Sequence, residues 1–143
     1  MKIAVIYVAQ AEAGWASHSP GKSPAATYLS HQLSTLSARL KNMGHAPYLV
    51  DGRSFNNHEH FAAVAKGLEF DVALVWVMPL SREDAAESIT AMRRAGKSQP
   101  IVAAGPGVSA SGERLSDETC DLLGEIDESF PALLEKFAAG ANK

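Results

Sequence analysis

Val72-Ala73-Leu74-Val75-Trp76-Val77 is apolar at every position, half of it is β-branched, and this stretch decides the fold. Alternating apolar and polar side chains would indicate a strand with one solvated face. Continuous apolarity instead indicates a strand that is covered on both faces, as in a parallel sheet between two layers of helices. The sequence therefore predicts a buried, parallel central strand here.

Similar apolar runs lie at residues 3–8, 48–50 and 101–104, with a weaker candidate at 121–123. Helical patterns separate these runs. The first is a stripe spaced by three and four residues that ends at Gly44, and its members are Leu29, Leu33, Leu36, Leu40 and Met43. Strand and helix alternate five times, and crossovers between parallel strands are right-handed. The sequence thus predicts a doubly wound, flavodoxin-like α/β fold with five mostly parallel strands in the order 2-1-3-4-5 and helices on both faces.

Three further helices are predicted from their apolar stripes and caps. Phe61, Val64, Ala65 and Leu68 form the stripe of the second helix. Ser81 and Asp84 have the spacing of a capping box, which would open a helix that runs to Gly96. Ser129 is predicted to cap the last helix, with Pro131 in its first turn.

Composition and charge exclude several classes of function. The chain has 143 residues, which suits a single domain spanning 1–143, and a net charge of −3 without a run of Lys or Arg, so nucleic acid is not an expected partner. Cys120 is the single cysteine, too few for an internal disulfide or an iron–sulfur cluster. No stretch approaches the ~20 apolar residues of a membrane span, and the amino terminus is typical of a strand rather than a signal peptide. We therefore expect a cytoplasmic protein without membrane contact.

The functional surface is predicted at the carboxyl ends of the strands, where open parallel sheets bind ligands. Four segments meet there: the long Ser- and Gly-rich loop from Gln10 to Pro24, and residues 78–81, 105–109 and 124–128. Six residues separate Gly14 from Gly21, whereas a P-loop has four between its glycines. No Asp follows the third strand to hold magnesium. Both departures argue against nucleotide hydrolysis. A phosphorylated receiver domain needs acidic residues after its first and third strands, and their absence here excludes that class.

Residue type alone leaves three motifs open between a structural and a functional interpretation. His18 is either a solvated side chain or a metal ligand on a loop over the sheet. The turn Gly105-Pro106-Gly107 is either a simple turn or a place where the backbone approaches a flat ligand. Ser81 either caps its helix or faces a ligand.

Taken in order, these segments resemble cobalamin-binding domains, especially the form attached to radical-SAM enzymes. The likeness covers most of the chain from Leu29 onwards. The matching segments are residues 40–45 with 48–51, residues 71–81, residues 100–107, and residues 120–125 with 130–134. In that order, the four segments resemble the family's first-helix end and second strand, its third strand and turn, its fourth strand and glycine turn, and its fifth strand with a Gly-Glu motif.

The resemblance implies a corrin ring over the strand ends and a nucleotide tail inserted beside the sheet. In the methionine-synthase-like branch, a motif containing His-x-x-Gly supplies the lower cobalt ligand, and His18 with Gly21 matches that part. Ala16 stands where the motif has an Asp to orient the imidazole. The radical-SAM-type branch often lacks the His. The cofactor-binding residues that the resemblance implies are His18, Gly21, Pro79, Leu80, Ser81, Gly105, Pro106, Gly107, Gly124 and Glu125.

The function expected from this resemblance is binding rather than catalysis. The chain lacks a three-cysteine radical-SAM motif, so we expect a stand-alone corrinoid-binding module that carries or senses cobalamin, or serves a catalytic or regulatory protein in trans. The alternative is a cofactor-free interaction domain of the same fold, in which a bulky side chain such as Trp15 or Met78 fills the corrin's place. A third interpretation, the amino-terminal half of a sugar transferase, rests on the similar helix end at residues 39–45.

Overall fold

The computed structural model describes residues 1–8, 31–52, 55 and 58–140, with Leu80 described in its backbone alone. The strands are β1 (Lys2–Tyr7), β2 (Ala46–Asp51), β3 (Val72–Trp76), β4 (Ile101–Ala104) and β5 (Cys120–Asp121). The helices are α1 (His31–Asn42), α2 (His58–Ala65), α3 (Arg82–Arg94), α4 (Pro106–Ser109) and α5 (Ile126–Ala138), and a 3-10 turn (Pro79–Ser81) precedes α3.

The five strands form one parallel sheet in the order β2-β1-β3-β4-β5, which confirms the predicted fold. The predicted central strand, β3, pairs with β1 on one side and β4 on the other, with Val75 opposite Ile6 and Ala103. Every residue of β3 is buried. Continuous apolarity therefore did identify a strand that is covered on both faces.

Two separate apolar cores cover the two faces of the sheet. One contains the alternate residues Ala73, Val75 and Val77 together with buried side chains of α2, α3 and α4. The other contains Val72, Leu74 and Trp76 with buried side chains of α1 and α5. Because side chains alternate across a strand, the indole of Trp76 lies in the layer between the sheet and helices α1 and α5.

The helix stripes were predicted correctly in their centres and wrongly at some ends. Leu36 and Leu40 are fully buried, but Met43 is 41% exposed, since α1 ends at Asn42. Val64 is 37% exposed, and Leu68 follows the end of α2 and packs against the core only partly. None of the helices in the described part of the chain is long and apolar enough to cross a bilayer.

Two predicted caps are wrong. Ser81 precedes α3, but its hydroxyl bonds to Met78 in the 3-10 turn instead of capping the helix. Helix α5 begins at Ile126, so Ser129 lies inside it and donates to the Glu125 carbonyl at 2.6 Å. Pro131 consequently lies in the second turn of α5 rather than the first.

The fifth strand is also shorter and earlier than predicted. It comprises Cys120–Asp121 instead of residues 121–123, although the N–H of Leu122 still donates to the Ala103 carbonyl at 2.8 Å. The chain leaves the sheet at Leu123 and turns through Gly124, whose φ is +84°. The loop from Gln10 to Pro24, predicted to be the longest, lies outside the described residues.

Candidate functional site

The structure brings three of the four predicted segments together at the carboxyl edge of the sheet. The 3-10 turn Pro79–Ser81 follows β3, the turn into α4 follows β4, and Gly124 and Glu125 follow β5. Adjacent parallel strands end side by side, so these segments form one continuous edge. His18 and Gly21, which belong to the fourth segment, lie outside the described residues, as does the side chain of Leu80.

A backbone hydrogen bond joins the first two segments directly. The N–H of Gly107 donates to the Val77 carbonyl at 2.9 Å, one residue beyond the ladder bond from the Val77 N–H to Ala104 at 2.8 Å. The ends of β3 and β4 therefore lie against each other. A ligand at this edge would rest on top of the two turns rather than between them.

Both glycines of the Gly105-Pro106-Gly107 turn are required by this close approach. A Cβ at Gly105 would lie 2.6 Å from the Val77 oxygen, and a Cβ at Gly107 would lie 2.5 Å from the Met78 oxygen. Gly105 also has a φ of +115°, which side chains disfavour. The protein's own backbone thus explains the glycines, and the side chain that this turn exposes is that of Pro106.

Ser81 stabilises the turn before α3 from within. Its side chain is buried, its hydroxyl donates to the Met78 carbonyl at 3.0 Å, and it accepts from the Met78 N–H at 2.9 Å. A hydroxyl has a single proton to donate, and Ser81 donates it to the Met78 carbonyl. The sequence indicated a helix cap, but the structure shows a side chain that shapes the 3-10 turn.

Arg82 holds the segment after α4 in place, and the sequence analysis missed it. Its guanidinium donates to the Gly107 carbonyl at 2.6 Å and to the Ser111 hydroxyl at 2.8 Å. Longer contacts reach the carbonyls of Glu113 and Arg114 at 3.3 and 3.5 Å. No sequence motif marks this role, because the acceptors are mostly backbone carbonyls about 30 residues away along the chain.

The third segment carries an exposed apolar side chain. Leu123 is 67% exposed, and the N–H of the following Gly124 donates to the Ser109 hydroxyl at 3.2 Å, which joins this segment to α4. Pro79, Pro106 and Glu125 are exposed along the same edge. An exposed apolar side chain at this edge is a candidate contact for a ligand or a partner protein.

His58 lies two residues before His60, a spacing that points the two side chains to different faces of a helix. In the structure its Nε2 lies 2.9 Å from Asp84 Oδ1 and 3.1 Å from Glu87 Oε2. This contact joins the start of α2 to the first turns of α3. Within the described residues no group of three or more His, Cys, Asp or Glu side chains is arranged to hold a metal ion.

One cleft of the described surface and the His45 imidazole, whose pKa is shifted, lie at the amino edge of the sheet. A cleft of about 400 Å³ lined by Arg93, Thr119 and Cys120 opens at the amino ends of β4 and β5. At the same amino edge, burial and the nearby terminal ammonium lower the pKa of His45. The carboxyl edge remains the candidate site because it is where the fold brings the predicted segments together.

Comparison with known proteins shows the fold without showing a family. No protein-family model matches the chain, and no curated protein is similar in sequence. A solved structure of the radical S-adenosylmethionine methyltransferase TsrM from Kitasatospora setae, with tryptophan and a SAM analogue bound, superposes with a TM-score of 0.72 at 15% identity. The match covers 99% of this chain and 26% of that enzyme, so the chain has the fold of about a quarter of a radical SAM methyltransferase.

Proposed function

We propose that the chain is a corrinoid-binding module that presents cobalamin, at the carboxyl edge of its sheet, to a catalytic protein acting in trans. The observation that carries this proposal is the structural match, because almost the whole chain superposes on part of a radical SAM methyltransferase. The sequence resemblance points to domains attached to enzymes of that class. The motif resemblance and the backbone match point to the same class of enzyme.

Two features of the described edge support the proposal. The Gly105-Pro106-Gly107 turn lies tight against the end of β3, and the exposed Pro106 lies at the carboxyl edge, where the macrocycle would rest. Leu123 offers apolar surface beside the turn, and burying it would favour binding. When bound, a corrinoid supplies a cobalt centre that carries methyl groups, and the role of this chain is to hold and orient it.

The proposal assigns catalysis to a separate protein. Cys120 is the single cysteine of the sequence, whereas an iron–sulfur cluster needs three or four thiolates. The radical SAM chemistry would therefore belong to the partner. Among the described residues we also find no acid–base or nucleophile constellation at the carboxyl edge.

A cofactor-free interaction domain is the second candidate. It is favoured by the internal roles of the two glycines and of Ser81, which the fold itself explains without a ligand. In this case the exposed Leu123 would contact a protein directly. Both candidates use the same edge, so the test must detect the cofactor itself.

The test is the visible spectrum of the purified protein after incubation with hydroxocobalamin and desalting. The proposal expects the corrinoid bands to stay with the protein, and expects Leu123→Asp to weaken retention at least tenfold. Val64→Asp is the matched control, because it introduces the same charge at an exposed apolar position on α2, far from the edge. Retention of no cobalamin well above micromolar concentration would favour the interaction domain.

A further inference from the structure

Helices α2 and α3 enclose a groove on one face of the molecule. They cover the same core side by side, and a cleft of about 710 Å³ opens between them. Near their starts, His58 contacts Glu87 at 3.1 Å. Near their ends, the Lys97 ammonium donates to the Lys66 carbonyl at 3.2 Å. The two helices therefore run parallel, and the groove follows their length.

Small side chains line the middle of the groove, and charged side chains lie at its ends. The small residues are Ala62, Ala86, Ala91 and Ala95. Glu59 and Glu87 lie near the helix starts, whereas Lys66 and Arg94 lie near the helix ends, and all four are exposed. Alanines allow a second pair of helices to come close, because the distance between packed helices depends on the side chains at the contact.

The charges at the groove are not used within their own helices. Seven residues separate Glu59 from Lys66, and seven separate Glu87 from Arg94. Ion pairs along a helix form between residues three or four apart, so neither spacing pairs the charges. Among residues 1–8, 31–52, 55 and 58–140, the side chains of Glu59, Lys66 and Arg94 form no ion pair. These charges are therefore available to a partner.

The charge pattern is complementary to itself under one kind of two-fold rotation. An axis that crosses both helices near Thr90, at the middle of the groove, reverses the direction of the second copy. Glu59 then lies opposite the partner's Lys66, and Glu87 lies opposite the partner's Arg94. An axis along the helices would instead place acidic starts on acidic starts. In a two-fold dimer the same surface serves both copies, so self-complementarity of this kind is what such an interface requires.

We propose that the chain forms a homodimer through the α2–α3 groove, with the helices of the two copies antiparallel. Helix α3 has 13 residues and is about 20 Å long, so a face two helices wide is smaller than the ~800 Å² per partner of a stable complex. The dimer is therefore weak, with a Kd in the micromolar range or above. It is also sensitive to salt, because exposed ion pairs are screened.

This dimer goes beyond the proposed function and does not depend on it. Helices α2 and α3 cover one face of the sheet, whereas the proposed corrinoid site lies at the carboxyl edge. The antiparallel arrangement points the two carboxyl edges in opposite directions. Each copy therefore keeps its edge open to a ligand or a catalytic partner.

Sedimentation equilibrium at low salt tests the proposal through charge reversal. Lys66→Glu with Arg94→Glu makes the groove acidic at both ends, and we expect self-association to weaken at least about tenfold. Glu59→Lys with Glu87→Lys makes it basic at both ends and is expected to do the same. An equimolar mixture of the two double variants is expected to form a heterodimer, because an acidic groove then faces a basic one.

Arg39→Glu with Lys136→Glu is the matched control for charge. It makes the same change in net charge at exposed positions of α1 and α5, which cover the opposite face of the sheet. We expect this variant to self-associate like the unmutated protein.

A cysteine at the middle of the groove tests the direction of packing. Close to the two-fold axis, Thr90 lies beside the partner's Thr90. In a Cys120→Ala background, Thr90→Cys is expected to give a disulfide-linked dimer on mild oxidation. Thr35→Cys in the same background is the control, because Thr35 is exposed on α1 and its hydroxyl, like that of Thr90, donates to the carbonyl four residues earlier.

Each remaining outcome decides the inference. A protein that stays monomeric up to about 1 mM overturns it and leaves the groove to a different occupant. A dimer that survives in both double variants overturns it as well, because another surface then forms the contact. If a charge-reversed variant fails to fold by far-UV circular dichroism, the two cysteine variants carry the comparison, and equal crosslinking in both contradicts the proposed interface.

Discussion

The backbone N–H of Gly107 lies 2.9 Å from the carbonyl oxygen of Val77, and this bond joins the start of α4 to the end of β3. The bond requires the two backbones to approach so closely that Gly107 has no room for a Cβ. A turn of this kind is rigid because the sheet on one side and α4 on the other both fix it. The carboxyl edge is therefore preorganised for whatever binds there.

The first prediction separates the close approach at Gly105 from its backbone strain. Gly105→Ala is expected to lower the free energy of unfolding by about 2–4 kcal/mol, because the new Cβ would meet the Val77 oxygen at 2.6 Å and the φ of +115° is unfavourable. Gly112→Ala is the control, since Gly112 also has a positive φ but has open space around it. We expect it to cost about 1 kcal/mol in urea unfolding; equal losses would contradict the packing argument.

This prediction also changes how the glycine turn should be tested as a ligand site. On sequence grounds, Gly105→Val would abolish cobalamin binding while the fold stays intact. The structure contradicts the second half of that expectation, because a valine cannot fit beside Val77 without moving the backbone. Leu123 is the better probe, since its side chain is exposed and its replacement disturbs no packing.

The second prediction concerns Arg82. Arg82→Met keeps the aliphatic stem but removes the hydrogen bonds to Gly107 and Ser111, so we expect a loss of about 1–2 kcal/mol in thermal unfolding. Amide exchange should accelerate at residues 107–114, the segment that the guanidinium holds. Arg39→Met, at an exposed position of α1, is the control and should change neither measurement. Unchanged exchange in Arg82→Met would show that the segment is held by other contacts.

The sheet could be predicted from sequence because its signal is local and repeated. Continuous apolarity in residues 72–77 reports burial on both faces, and a strand buried in this way has few places in a fold other than the centre of a parallel sheet. The ends of elements were less predictable. Ser81 has the right residue type and spacing for a cap. Its hydroxyl instead hydrogen-bonds to Met78, a partner that is equally local in sequence.

The contacts of the candidate site could not be predicted from the sequence, for a different reason. Arg82 and Ser111 are separated by 29 residues, and their contact depends on how α3 and α4 end up beside each other. The charges along the α2–α3 groove likewise share one surface only once the two helices are packed side by side. Leu123 does carry a sequence signal, because it is an apolar residue immediately before a glycine.

The third prediction tests the two cores separately. Leu36 on α1 and Val75 on β3 are completely buried and belong to different cores. Leu36→Ala and Val75→Ala should each lower the free energy of unfolding by about 2–4 kcal/mol, the transfer and cavity cost of a buried apolar side chain. Leu49→Ala, at a position 45% exposed, should cost less than about 0.5 kcal/mol. Unchanged melting in either core variant would show that its element is misplaced.

The fourth prediction concerns the cobalt ligand. Ala16 cannot orient or polarise the imidazole of His18, so we predict that His18→Ala leaves the visible spectrum of the bound corrinoid unchanged. His31→Ala, which removes a histidine at the exposed start of α1, is the control for an unspecific effect. A spectral shift in His18→Ala alone would mean that His18 is the lower ligand and that the site follows the methionine-synthase-like pattern.

The fifth prediction is a pH dependence at the amino edge. Burial and then the terminal ammonium lower the pKa of His45 from 6.5, and its Nδ1 lies 3.3 Å from the amino group of Met1. The unfolded chain therefore binds a proton that the folded chain resists, so stability should fall as the pH drops through 6.5 towards the lower pKa of the folded state and level off below it. His45→Asn should reduce this slope in urea unfolding measured from pH 8 to pH 5. Acetylating the terminal amine should reduce it only in part, because burial is the larger cause; an identical slope in His45→Asn and the unmutated protein would contradict the assignment to His45.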